Sequence, residues 1–272
     1  MKKPLGLLAC LLAGWLASPP LSAWDLQGDP VQGAVLFGQA APGSVVSLDG
    51  RTLQVSAAGR FVLGFGRDQT GNAVLEVREP GNDPERRVLE IAPREYNIER
   101  VDGLPPRTVT PDPESLARIQ EEARRVAQAR ARRDNRDDYA AGFAWPASGR
   151  LSGFYGSQRI LNGEPRRPHY GVDVAAPTGS PVTAPAPGII TLAESDLYFS
   201  GGTIILDHGQ GLSSSFLHLD EVLVETGDTV AQGDLIGRIG ATGRASGPHL
   251  DWRMNWHDKR VDPQTVVQGS PE

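Results

Sequence analysis

All five histidines of this 272-residue chain lie beyond residue 140, and three of them stand in patterns that could do chemistry. His169 is followed four positions later by Asp173 in RRPHYGVDVAAP, His218 sits in SSSFLHLDEV, and His249 precedes Asp251 by two in SGPHLDW. Imidazole nitrogens and carboxylate oxygens bind zinc, and they are also common general acids and bases. Side chains at i and i+2 of a strand share a face, so His249 and Asp251 should project together, as should His169 and Asp173 if that segment is extended. Each pattern alone also has a plainer reading. His218 in its apolar run fits a hydrogen-bonded core histidine, His208 in LDHGQG a structural or solvated group at a strand end, and His257 in NWHDKR a surface loop residue.

The elements that must position these groups are mostly short strands. From Ala140 to Val267, runs such as GVDVAAP, GGTIILDHG, LSSSFLHL and HLDWRMNW are bounded by Gly, Pro and Asp, which predicts an all-β region with no helix. From Trp24 to Arg100, GAVLFG, SVVSLDG, TLQV, RFVLGF, NAVLEV and RRVLEI recur about every ten residues between turn signals, the pattern of a small Ig-like antiparallel β-sandwich. That segment holds no histidine and reads as a spacer or binding module. Between the two, Asp112-Pro113 is an N-cap with proline at the first helical position. Leu116, Ile119, Ala123 and Val126 then repeat at helical spacing, predicting one apolar stripe against a neighbour. The arginines from Arg124 to Arg136 read as a solvated helix face rather than a surface for an anionic polymer.

Residues 1–23 carry two lysines, an apolar run too short to span a bilayer and small residues before Trp24, a secretory signal with a retained anchor as the alternative. Its Cys10 is the only cysteine and a weak lipoprotein signal. Without Lys2 and Lys3, 25 basic side chains face 33 acidic ones, a formal charge of −8, which argues against nucleic acid as a partner. The domain reading is therefore a signal peptide at 1–23, a β-sandwich at 24–104, a proline-rich linker and amphipathic helix at 105–139, and an all-β domain at 140–268. The chain is mainly β, exported, and periplasmic or cell-envelope in location.

Taken together, the ordered motifs His169-x-x-x-Asp173, Phe-Leu-His218-Leu and Gly-Pro-His249, at these separations, resemble the LytM/lysostaphin-type zinc endopeptidases of peptidase family M23 across residues 145–266. The resemblance implies a LytM-type fold with the duplicated hybrid motif. It also implies a Zn2+ cofactor held by His169, Asp173 and the residue two after His249, catalytic roles for His218 and His249, and hydrolysis of peptide bonds in peptidoglycan stems or cross-links. The chain departs from the family at that third ligand, where a histidine is usual and Asp251 stands instead. Zinc accepts His nitrogen and Asp oxygen at similar lengths, about 2.0–2.2 Å, so the exchange is permissible. It also removes one positive charge from the site, which predicts a less acidic bound water, with slower catalysis or a more alkaline optimum. Asp251→His is expected to keep or strengthen zinc binding.

Two readings compete. A catalytically silent relative would bind the cell wall and activate amidases, with those enzymes or divisome proteins as partners. A biotinyl or lipoyl carrier is suggested by VETGDTVAQGDLIGRIG, but no lysine for covalent attachment lies between Arg167 and Arg253. No HExxH helix is present, so any zinc chemistry here lacks the glutamate base of that motif. The proline-rich DGLPPRTVTPDP and the arginine-rich helix raise the further hypothesis that residues 101–140 cover the active groove.

Overall fold

The computed structural model describes residues 24–101, 113–161, 164–165 and 167–271; the signal segment 1–23 and the Asp112 cap lie outside them. Strands such as β6 (Asn72–Arg78) and β12 (Val172–Ala175) alternate inward and outward side chains, as the sequence runs predict, whereas β15 (Gly201–Asp207) and the first eight residues of β16 (Leu212–Val222) are buried throughout. In the front half, β1 (Asp25–Gln27), β2 (Val35–Gln39) and β5 (Arg60–Gly64) form one antiparallel sheet. A second is built from β3 (Val45–Leu48), β4 (Arg51–Thr52), β6 (Asn72–Arg78) and β7 (Glu85–Glu90), in the order β4-β3-β6-β7. Ala73, Leu75 and Val77 of β6 turn inward and bury against the first sheet's Leu36, Phe61 and Leu63. β8 (Ile98–Val101) then leaves the sandwich and pairs in parallel with β10 (Gln158–Leu161), whose other edge carries β11 (Glu164–Pro165).

The rear half is one large antiparallel sheet. Its main path runs β17 (Thr229–Val230), β14 (Gly188–Leu197), β15 (Gly201–Asp207), β16 (Leu212–Val222), β19 (His249–Trp256), β12 (Val172–Ala175) and β9 (Arg150–Gly153). The hairpin partners β13 (Pro181–Thr183) and β18 (Leu235–Ile239) join at β16, and β20 (Lys259–Val261) joins at β19. Among the described residues the rear half contains no α-helix, only 3-10 turns at Asp138–Ala141 and Pro263–Thr265. The two halves share one core: a Cβ added at Gly64 of β5 would lie 3.0 Å from both Trp256 Cβ and Val261 Cγ1.

Helix α1 (Pro113–Ala129) docks on the large sheet, with Val126 and Ala129 packed on Leu192, Leu197 and Ile205. The predicted stripe is rotated. Leu116 and Ala123 are exposed, whereas Glu122 is buried, accepting hydrogen bonds from Arg118 Nε at 2.6 Å and from the Tyr198 amide at 2.8 Å. The arginines divide: Arg124 and Arg133 are exposed as expected, and others turn to the sheet. Arg125 pairs with Glu194, Arg136 with Asp207 and Asp138, and Arg130 donates to Ser215 Oγ at 3.0 Å. The helix is thus held by the Glu122 contacts and the Arg125–Glu194 pair as much as by apolar packing. Ile205 is opposite Ser215, and Ser215 is opposite Arg253, so α1 lies on the same sheet face as Arg253 and Asp251.

His208 is structural, as expected at a strand end. Fully buried, it donates from Nδ1 to the Pro187 carbonyl at 2.8 Å, leaving Nε2 to accept from the Ser214 hydroxyl at 2.9 Å. Burial pushes this imidazole down to about 4. The unfolded chain therefore binds a proton that the folded chain refuses between about pH 6.5 and 4, and stability present above that window is lost as pH falls through it. Urea unfolding at pH 7 and pH 4.5 should show an acid loss in the wild type exceeding that of His208→Gln by on the order of 2–3 kcal/mol.

Candidate metal centre

Strands β12 and β19 pair so that Asp173 stands directly opposite Asp251 and Ala175 opposite His249. Opposed residues of antiparallel strands share a face, and so do residues two apart, so His249, Asp251 and Asp173 all project together. His169 precedes β12 rather than lying on it. It is carried there by the turn after β9, where its amide donates to the Ser157 carbonyl at 2.7 Å and its own carbonyl accepts from the Gly156 amide at 2.8 Å. Two glycines make the room. A Cβ at Gly153 would fall 2.2 Å from Asp173 Oδ2, and one at Gly171 would fall 2.5 Å from Asp251 Oδ1.

His169 Nε2 lies 3.1 Å from Asp173 Oδ1, and outside this pair neither buried atom has a hydrogen-bond partner. Together with Asp251 they offer three ligand atoms within 4.8 Å of one another, a group that could hold a metal ion. Two ligands bonded tetrahedrally to zinc at about 2.0–2.2 Å lie about 3.4 Å apart, so one imidazole and two carboxylates fit that ion in chemistry and spacing. Burial alone would lower the His169 pKa, but Asp173 and Asp251 outweigh it and raise the pKa.

The other two histidines flank this group. The His218 and His249 ring centroids are 4.9 Å apart, and His249 Nε2 is 3.9 Å from Asp173 Oδ1. His218 Nδ1 donates to the Thr242 carbonyl at 2.8 Å, and His249 Nδ1 to the Gly247 carbonyl at 2.7 Å. Each carbonyl therefore fixes a hydrogen on Nδ1, which leaves Nε2 of each ring for the site. His218 also adopts φ +65°, unusual for a residue with a side chain, at a break in the register of β16 with β15 and β18. Its amide bonds to the Ser200 carbonyl at 2.8 Å, and Thr242 braces the bend by donating to the Leu219 carbonyl at 2.7 Å. Burial lowers the His218 pKa, which keeps the ring neutral at neutral pH. His257, expected on the surface, instead packs half-buried on Trp256 at a centroid distance of 4.8 Å, with φ +54° in the turn between β19 and β20. It takes no part in the site.

Arg253 is the residue the motif analysis missed. Its Nε lies 2.9 Å from Asp251 Oδ1 and its Nη2 lies 2.5 Å from Asp251 Oδ2, a forked pair with Asp251 almost wholly buried. Burial would raise the Asp251 pKa, but the guanidinium holds the carboxyl below its ordinary value. Two carboxylates, a divalent ion and Arg253 sum to one positive charge, as do one carboxylate, two neutral histidines and the same ion. The charge deficit expected from the Asp251 exchange is thus made good two residues along the same strand. The i+2 rule that joined His249 to Asp251 would have found it. Each carboxylate oxygen has two acceptor directions, so Asp251 can serve Arg253 and a cation together.

Asp251→His alone would leave Arg253 buried beside a metal with no counter-charge, so the expectation that this exchange keeps or strengthens zinc binding needs a companion change at Arg253. Arg253→Met should cost the metal-free protein about 3–5 kcal/mol, the usual penalty for breaking a buried pair. Zinc should then raise its melting temperature by more than it raises the wild type's. Calorimetric melts with and without zinc check both; equal zinc-induced shifts would refute the charge assignment.

The profile of the family described as Peptidase family M23 matches residues 167–263. The chain is 36% identical over 98 residues to the peptidoglycan DD-endopeptidase ShyC of Vibrio cholerae, covering 36% of this chain and 22% of that protein. It is also 36% identical over 106 residues to the DD-carboxypeptidase/endopeptidase Mpg of Neisseria meningitidis, covering 39% of this chain and 24% of that protein. It thus spans about a quarter of the length of these curated relatives. The crystal structure of a peptidase M23 from Pseudomonas aeruginosa is 32% identical, with a TM-score of 0.66, over 87% of this chain and 94% of that one.

Proposed function

The chain belongs to peptidase family M23, and from that premise we propose that it is a zinc-dependent endopeptidase hydrolysing peptide bonds in peptidoglycan stems or cross-links. The observation that carries this reading is the buried, unpartnered pair of His169 Nε2 and Asp173 Oδ1, with Asp251 beside them. His169, Asp173 and Asp251 would hold the ion, which supplies Lewis acidity and lowers the pKa of a coordinated water. His218, neutral and fixed by Thr242, presents Nε2 to take a proton from the attacking water. His249, fixed by the Gly247 carbonyl, would in its imidazolium form donate from Nε2 to the developing oxyanion, while His218 passes the proton it has taken to the leaving amine. Export to the cell envelope fits this substrate; among the described residues no helix is long and apolar enough to cross a membrane.

One observation favours a second reading, a wall-binding regulator of amidases. Both oxygens of Asp251 are engaged by Arg253, which competes with a metal for that carboxylate. Metal analysis of the purified chain and fragment release from isolated cell wall separate the two. The endopeptidase reading expects about one zinc per chain and release abolished by a chelator and restored by zinc. His218→Ala and His249→Ala should each lower kcat by roughly 10²–10⁴ while retaining the metal. A metal-free chain that releases nothing supports the regulator.

A further inference from the structure

The sheet face that carries Asp251 also carries more half-buried positive charge than it has acid to match. Arg253 is satisfied by Asp251, but Arg130 and Arg260 pair with no carboxylate among the described residues. Arg130, just past the last turn of α1, reaches Ser215 Oγ with one nitrogen, while its Nε is buried with no partner. Arg260 of β20 donates to Asn255 Oδ1 at 2.8 Å. The ladder places these groups on one surface, since Ser215 is opposite Arg253, and Asn255 is opposite both Ser213 and Arg260. Burial, then the positive charge of neighbouring arginines, lowers Arg130 to about 9 and Arg260 to about 10, so both remain cations at neutral pH. Burying a guanidinium without a counter-charge destabilises a fold. Two of them converging beside a candidate metal centre are better explained by a ligand than by the scaffold.

We propose that Arg130 and Arg260, with Ser215, form a carboxylate subsite next to the metal centre, which binds a carboxylate of the peptide substrate. This deepens the endopeptidase reading and rests on it for the nature of the ligand. A strand advances about 3.3–3.4 Å per residue, so the step from Asp251 through Arg253 to Asn255 spans about two to four residues of an extended peptide. For a peptide laid along β19, the substrate carboxylate lies two to four residues from the cleaved bond, as either a chain terminus or an acidic side chain. Arginine suits this task because its planar fork meets a carboxylate with two parallel hydrogen bonds. Arg130 directly follows α1 and precedes the matched family region, so this part of the specificity lies outside that region.

The test uses the full chain freed of metal, so that binding is read without turnover. Calorimetry compares a glutamate-containing tetrapeptide with a free C-terminus, the same peptide amidated, and both again with glutamine for glutamate. One of the two carboxylates should account for at least a tenfold difference in Kd, identifying its source. Arg130→Met and Arg260→Met should each remove that discrimination, while the melting temperature without peptide stays level or rises, because a half-buried unpaired charge has gone. Equal binding of all four peptides, undetectable binding of all four, or discrimination that survives both substitutions overturns the subsite. So does a lowered melting temperature or failure to fold in the Met variants, which assigns the arginines to the scaffold. Discrimination in a chain that takes up no zinc and releases no wall fragments would retain the subsite and sink the endopeptidase reading instead.

Discussion

Two carboxylates, half-buried Asp173 and buried Asp251, face each other across neighbouring antiparallel strands. Like charges in that register repel, and removal from water strengthens the repulsion. The surroundings read as answers to that constraint. Arg253 forks onto Asp251, the Nε2 atoms of His169 and His249 approach Asp173, and glycines at 153 and 171 leave space where any side chain would collide. The pairing of β12 with β19 is what lets three distant stretches of chain meet at one point, where a cation would make the meeting favourable.

Much of the architecture could be read from the sequence because a half-buried strand writes its burial as alternation. Five of the six apolar runs in the front half fall on strands, TLQV keeping only Thr52 in β4, and Ala73, Leu75 and Val77 point inward as period two requires. The helix was legible as a helix, but its face was not. Counting apolar positions selects Leu116 and Ala123, whereas the buried side is set by Glu122, whose partners Arg118 and the Tyr198 amide include one 76 residues away. A charged residue buried through such a partner leaves no hydrophobic signature. The same blindness made docked arginines such as Arg125 look like solvated surface.

At the site, the local rule worked as far as it was applied. His249 and Asp251 share a face because they are two apart, and Arg253 extends the series by one more step. His169 reached the group by a turn rather than by strand geometry, so its spacing to Asp173 was right for a reason the alternation argument does not contain. Arg130 could not have been placed at all, because its contact with Ser215 crosses 85 residues and depends on how α1 lies on the sheet.

The packing of Gly64 against Trp256 and Val261 bears on how such a protein can be taken apart. Trp256 ends the strand that begins at His249, so the front sandwich presses on one tip of the element whose other tip holds the chemistry. A cut that looks clean on paper, severing the histidine-bearing half from what precedes it, would bare an indole and a valine to solvent and loosen the far anchor of that strand. The two halves are mechanically one piece, and the front one acts as a buttress rather than a detachable passenger.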